Sequence, residues 1–188
     1  MRKLIYFVHT SIDGFIDGPN GEFDWPEMGS ELSAYSFSLQ DRADTFVYGR
    51  VVWEMMSGFW PNGESMSTDE HDLAYAPVWR ATPKVVFSRT LAGEDLDWNT
   101  RVIGGDLVDE VTALKDQPGK DLLLMGGSRL AGSLTDLGLI DEHHVIVHPV
   151  VLGGGKPILP IGENRVNLRL ADSRTFDGRT VLTRFDRG

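Results

Sequence analysis

The chain has 188 residues, 41% hydrophobic and 24% charged, which suits one well-covered core and excludes a disordered or collagen-like chain. Eighteen Lys and Arg against 28 Asp and Glu leave a formal net charge of −10 with no basic cluster, a surface that repels a phosphate backbone, so nucleic acid is not an expected partner. The absence of cysteine removes disulfides and thiolate metal sites, and a cytoplasmic setting is the expectation.

Residues 3–10 are apolar at both parities and rich in Ile, Tyr, Phe and Val, which predicts a central strand covered on both faces. The opening MRKLIYFVH carries too short an apolar run for a signal peptide or a membrane span. Turn chemistry follows at Ser11-Ile12-Asp13-Gly14 and continues to Gly21. Ser30, Glu31 and Ser33 mark a helix start, and Leu32, Tyr35, Phe37 and Leu39 supply a buried stripe, predicting a helix over 30–43. A strand over 45–48 ends at Gly49-Arg50, and a short helix over 51–57 is stopped by Gly58 and Pro61. The polar, acidic stretch 62–72 reads as a surface loop. Strand 84–88, helix 106–115, strand 121–125 and helix 130–137 then alternate. From Glu142 the pattern turns to strands, over 143–152, 166–176 and 180–185, with Asp177-Gly178 as a hairpin signal. The order predicts an α/β fold: one domain over 1–188, with a mixed, mostly parallel sheet, helices on both faces and antiparallel C-terminal strands.

The strongest chemical signal is Met125-Gly126-Gly127-Ser128-Arg129 between a strand and a helix. Two glycines there let an anion approach the free N–H groups of a helix N-terminus; equally, they can serve only as a tight turn. No G-x-G-x-x-G or Walker sequence is present, which disfavours an ordinary Rossmann or P-loop protein. Two further strand ends carry arginine, Gly49-Arg50 and Ser88-Arg89. In an open α/β sheet such ends converge on a ligand, although each arginine alone reads as a solvated surface residue. His144 and His148 are spaced to share a strand face, but lacking a third ligand they read as core or surface histidines, with no metal. Trp25 either walls a pocket or anchors its own loop, and Trp53 reads as core packing.

His9-Thr10-Ser11-Ile12-Asp13-Gly14-Phe15-Ile16, Tyr48-Gly49-Arg50-Val51-Val52-Trp53-Glu54, Phe87-Ser88-Arg89 and Met125-Gly126-Gly127-Ser128-Arg129 resemble, in order and spacing, the motifs of the dihydrofolate-reductase-like superfamily. The tail from Leu139 through His148-Pro149-Val150-Val151-Leu152-Gly153-Gly154-Gly155-Lys156-Pro157 resembles the reductase domain of bacterial riboflavin-biosynthesis proteins and their stand-alone relatives. The resemblance implies a three-layer αβα fold, an NADPH-dependent reductase acting on a C=N or C=O bond of a small molecule, and a homodimer. It implies the backbone of Val8 and His9 near the nicotinamide carboxamide, Ile16 near the ring, and Gly126, Gly127, Ser128 and Arg129 at the pyrophosphate. By the same resemblance Gly49, Arg50 and Val51 meet phosphates and Ser88 and Arg89 the adenosine 2′-phosphate, where guanidinium groups favour NADPH over NADH.

The chain departs from true dihydrofolate reductases where their acidic residue meets the pterin: Ser33 falls at that position and Glu31 two residues before it. Glu31 is either the family's acid in a shifted register or a helix-start acid favourable to the dipole, and Asp13 is either a catalytic group or an Asx turn before Gly14. Genuine dihydrofolate reduction is not expected. The competing readings are a riboflavin-pathway ribosylamino-pyrimidine reductase, against which no zinc-deaminase signature is present, and a module that binds NADPH without turnover.

Overall fold

A computed structural model describes residues 1–160, 162 and 165–188. Among them one eight-stranded sheet has the order β4-β3-β2-β5-β1-β6-β8-β7. Its strands are β1 (Leu4–Thr10), β2 (Ala43–Gly49), β3 (Lys84–Phe87), β4 (Thr100–Ile103), β5 (Asp121–Met125), β6 (Glu142–Val147), β7 (Leu168–Phe176) and β8 (Thr180–Arg187). All neighbours pair parallel except β6 with β8 and β8 with β7. The helices are α1 (Ser30–Arg42), α2 (Arg50–Phe59), α3 (Gly63–Met66), α4 (Glu70–Ala81), α5 (Leu107–Asp116) and α6 (Ser128–Asp136), with a 3₁₀ turn at Trp60–Asn62.

The double-sided apolar pattern of β1 has the expected consequence. Ile5 and Phe7 join Leu32 and Leu39 of α1 and Tyr75 and Trp79 of α4 in one core. Leu4, Tyr6 and Val8 join Val111 and Leu114 of α5 and Ala131 and Leu134 of α6 in the other. No helix among the described residues is long and apolar enough to cross a membrane.

Four sequence expectations change. The stretch 62–72 is not a loop: it holds α3 and the first turn of α4, whose N-cap Asp69 accepts from the N–H groups of His71 and Asp72. The helix then continues through Pro77, where burial of Tyr75, Ala76 and Trp79 outweighs the proline's cost. Gly58 does not stop α2, which runs on to Phe59. Strand β4 arises from only Thr100-Arg101-Val102-Ile103, stabilised by parallel pairing with β3. The strand read over 143–152 ends at Val147: His148 N still donates to Thr10 O of β1, but Val150 N folds back onto His148 O and the chain leaves the ladder there.

Candidate active site

In a parallel sheet with crossover helices, the strand carboxyl ends and helix N-termini share one edge. Here those N-termini fall into two groups. Three carry carboxylates: Asp177 reaches from the β7–β8 turn to accept from Glu31 N (3.0 Å) and Leu32 N (3.2 Å) of α1, Asp69 caps α4 and Asp106 caps α5. Of the other three, the four-residue α3 has an Asn62 N-cap that makes no side-chain bond, and α2 and α6 have glycine N-caps, Gly49 and Gly127, with no side-chain bond either. Their N–H groups and dipole ends are free to meet an anion.

The arginines stand at these two bare ends. Arg50 opens α2 and pairs with Glu54 one turn along (2.8 Å), an exposed contact of little strength. Val51 beside it is 56% exposed. At the end of β3, Ser88 Oγ accepts from Leu91 N (3.1 Å), while Arg89 is exposed. Gly126 and Gly127 hold φ of +61° and +84°, the left-handed region that only glycine enters freely; Gly126 N donates to Phe7 O (3.0 Å), tying the turn to β1. Ser128 is buried beneath the turn and Arg129 exposed above it.

At the end of β1, Val8 faces α5 and α6 and His9 faces α1 and α4. The following loop is laced to residues 152–158. Asp13 accepts from Leu152 N (3.0 Å) and Gly153 N (2.7 Å), Ile16 N donates to Lys156 O (2.8 Å) and Ile158 N to Gly14 O (2.8 Å). Asp17 takes both the N–H and the ammonium of Lys156. The Ser11 hydroxyl and these amides hold the Asp13 carboxyl below its ordinary value, so Asp13 acts here as a loop clip. Glu31 is similarly engaged, since its carboxylate accepts from Asp177 N while Asp177 caps α1 in return. Ser33 faces His71, with Oγ 2.7 Å from Nδ1.

The histidines do not converge. His144 meets Tyr35 OH through Nδ1 (2.7 Å) and Glu142 through Nε2 (2.9 Å), whereas His148 Nε2 meets His9 Nδ1 at 2.8 Å. Trp25 stands edge-on over His148, ring centroids 5.4 Å apart. This His9–His148–Trp25 cluster was not legible in sequence, because its members lie on three separate segments. On the same edge, a cavity of about 480 Å³ opens between the starts of α1 and α4 and the β7–β8 turn. It is lined by Glu27, Asp69, Asp72, Asp177, Arg179 and Thr180 among others.

An αβα sandwich with this strand order, a reversed C-terminal pair and bare helix N-termini along one edge defines the dihydrofolate-reductase-like class. The chain is similar in fold to dihydrofolate reductase from Enterococcus faecalis complexed with NADP(H): TM-score 0.62, 14% identity, 99% of this chain and 96% of that one covered. It belongs to the RibD C-terminal domain family, which it matches over residues 2–182. A protein from Shewanella sp. PV-4, assigned by name to riboflavin biosynthesis, has a TM-score of 0.77 at 23% identity, with 99% of both chains covered. The Bacillus subtilis (strain 168) protein YyaP is 36% identical over 183 residues, 96% of this chain and 92% of its own.

Proposed function

We propose that the protein is an NADPH-dependent reductase of a small carbonyl or imine compound, working in the cytoplasm. The observation that carries the reading is the pair of uncapped, glycine-started helix N-termini, α2 and α6, where α1, α4 and α5 each have a carboxylate on theirs. Two such ends with Arg50, Arg89 and Arg129 nearby suit a dinucleotide bearing a pyrophosphate and a further phosphate. Bound there, the cofactor supplies hydride. The chain's own residues hold the phosphates, and the laced loops at Asp13, Ile16 and Lys156 close over the reactive end.

Ser33 offers no carboxylate for a pterin, and Glu31, tied to Asp177, does not replace it; folate reduction is therefore disfavoured.

NADPH should bind more tightly than NADH, and Arg50→Ala or Arg89→Ala should narrow the gap by about 1.5–3 kcal/mol each, as expected for a charge-assisted contact. Fluorescence titration of both cofactors measures this, and equal affinity in the unmutated protein would remove the 2′-phosphate assignment. Binding without oxidation across a carbonyl and imine panel would favour the non-catalytic module. We further propose a homodimer, closed two-fold pairs being the commonest soluble oligomers; sedimentation at micromolar protein should show it, and monomer alone would refute it.

A further inference from the structure

The contact between His9 and His148 fixes which hydrogen each ring carries. At 2.8 Å between His9 Nδ1 and His148 Nε2, one nitrogen is the donor and the other a bare lone pair. Burial holds both imidazoles neutral: His9 is pushed down to about 3, with further contributions from His148 and His71, and His148 to about 4. Each ring therefore carries a single N–H.

Two arrangements exist. If His9 donates from Nδ1, then His148 carries its hydrogen on Nδ1, a buried atom with no partner among the described residues. An orphaned buried N–H gives up the hydrogen bond it would make in water and regains none. If His148 donates from Nε2, the orphan at its Nδ1 is only a lone pair, a less costly vacancy, and the hydrogen of His9 moves to Nε2. That atom has no partner among the described residues and is not itself buried, so it opens on the edge where the strands end. His148 is 1% exposed beneath Trp25, and its backbone N–H donates to Thr10 O (2.8 Å).

We propose that His148 is a positioning residue that locks His9 as a neutral Nε2–H donor, and that this N–H holds the oxygen or nitrogen of the substrate's C=O or C=N bond. The inference rests on the reductase reading above. With a hydride added to the carbon, the π electron pair would move onto the heteroatom, whose developing charge the His9 N–H would stabilise, and solvent would supply the proton that completes the alcohol or amine. A preorganised neutral donor needs no proton of its own to act. The substrate class this selects is one whose reacting bond ends in an accessible hydrogen-bond acceptor.

Two measurements test it. In protein labelled with ¹⁵N-histidine, long-range proton–nitrogen spectra should show His9 and His148 both as Nε2–H forms, with His9 Nδ1 at the shift of an unprotonated acceptor. A His9 Nδ1–H form overturns the proposal whatever the activity, and needs neither cofactor nor substrate. In NADPH-dependent reduction of the carbonyl and imine panel, His9→Leu should lower kcat about 100-fold, the loss typical of one such donor. His9→Gln, which returns an N–H donor near the same place, should recover most of the rate. A His9→Leu enzyme as fast as the unmutated one, or a His9→Gln enzyme as slow as His9→Leu, also overturns it. Failure of the unmutated protein to bind NADPH would instead overturn the reductase reading, leaving the tautomer result to decide the state of the pair.

Discussion

Glu142→Leu should destabilise the fold by about 2 kcal/mol, within the range for stranding a buried hydrogen-bonding group. Glu142 opens β6 with its side chain 5% exposed, and it meets His144 (2.9 Å), Arg42 (3.1 Å) and Lys3 (2.8 Å). The bond from His144, aided by Arg42 and Lys3, holds its carboxyl well below the ordinary value of 4.5 against the opposing effect of burial. The substitution frees two cations that still reach solvent, but it strands the buried His144 N–H, whose other nitrogen accepts from Tyr35. Glu142→Gln keeps an acceptor and should lose about half as much. The linkage has a definite sign. Because the folded carboxyl is the stronger acid, its stabilisation is complete above pH 4.5 and is withdrawn as pH falls below that value. Urea titrations of the three proteins at pH 7 and pH 4 measure both effects. A Glu142→Leu protein as stable as its parent, or one that keeps the parent's full acid sensitivity, would show that the cluster is incidental.

The second large effect concerns the clip that closes the site. Gly155 has φ +121°, and a Cβ there would run into the backbone carbonyl of Asp17. Gly155→Ala should therefore cost about 1–3 kcal/mol from backbone strain alone and force the two loops apart. Gly153→Ala is the natural comparison, since its φ is +74° with open space around the added carbon, and it should cost about 1 kcal/mol. Hydrogen exchange reads the difference. The amides of Ile16 and Ile158, which bridge the loops, should exchange about 10- to 100-fold faster in Gly155→Ala. Unchanged exchange at both would mean that the loops stay together without this close approach.

Legibility in the sequence followed the range of the forces involved. The strands β1 and β5 and the helix α1 are set by local apolar patterning, and each reads directly from its own residues. Helix α4 escaped because Pro77 breaks the local pattern while the stabilising burial comes from a distant sheet. The strand ends at Gly49, Ser88 and Gly126 could be read as potential anion contacts, yet what distinguishes the helix starts at Gly49 and Gly127 is comparative: Asp177, Asp69 and Asp106 occupy those of α1, α4 and α5. Asp13 and Glu31 show the converse limit. Each is a carboxylate in a plausible place, and each is engaged by amides more than 130 residues away in sequence. The His9–His148 pair is another contact of this kind, made between β1 and the residue just past the end of its neighbour β6, whose register is set only by folding.

The position of β1 also governs how the chain reaches this structure. The most central apolar strand is made first, and both of its neighbours, β5 and β6, lie more than a hundred residues later, with Leu4 opposite Leu122 and Ile5 opposite Glu142. At a synthesis rate of about 5–20 residues per second, β1 waits roughly 6–24 s for its first partner. During that interval a strand built to be covered on both faces has nothing to pair with, so nascent chains should recruit holdase chaperones at their N-terminal segment. Refolding from denaturant should be slow, in the range where long-range parallel pairing limits the rate.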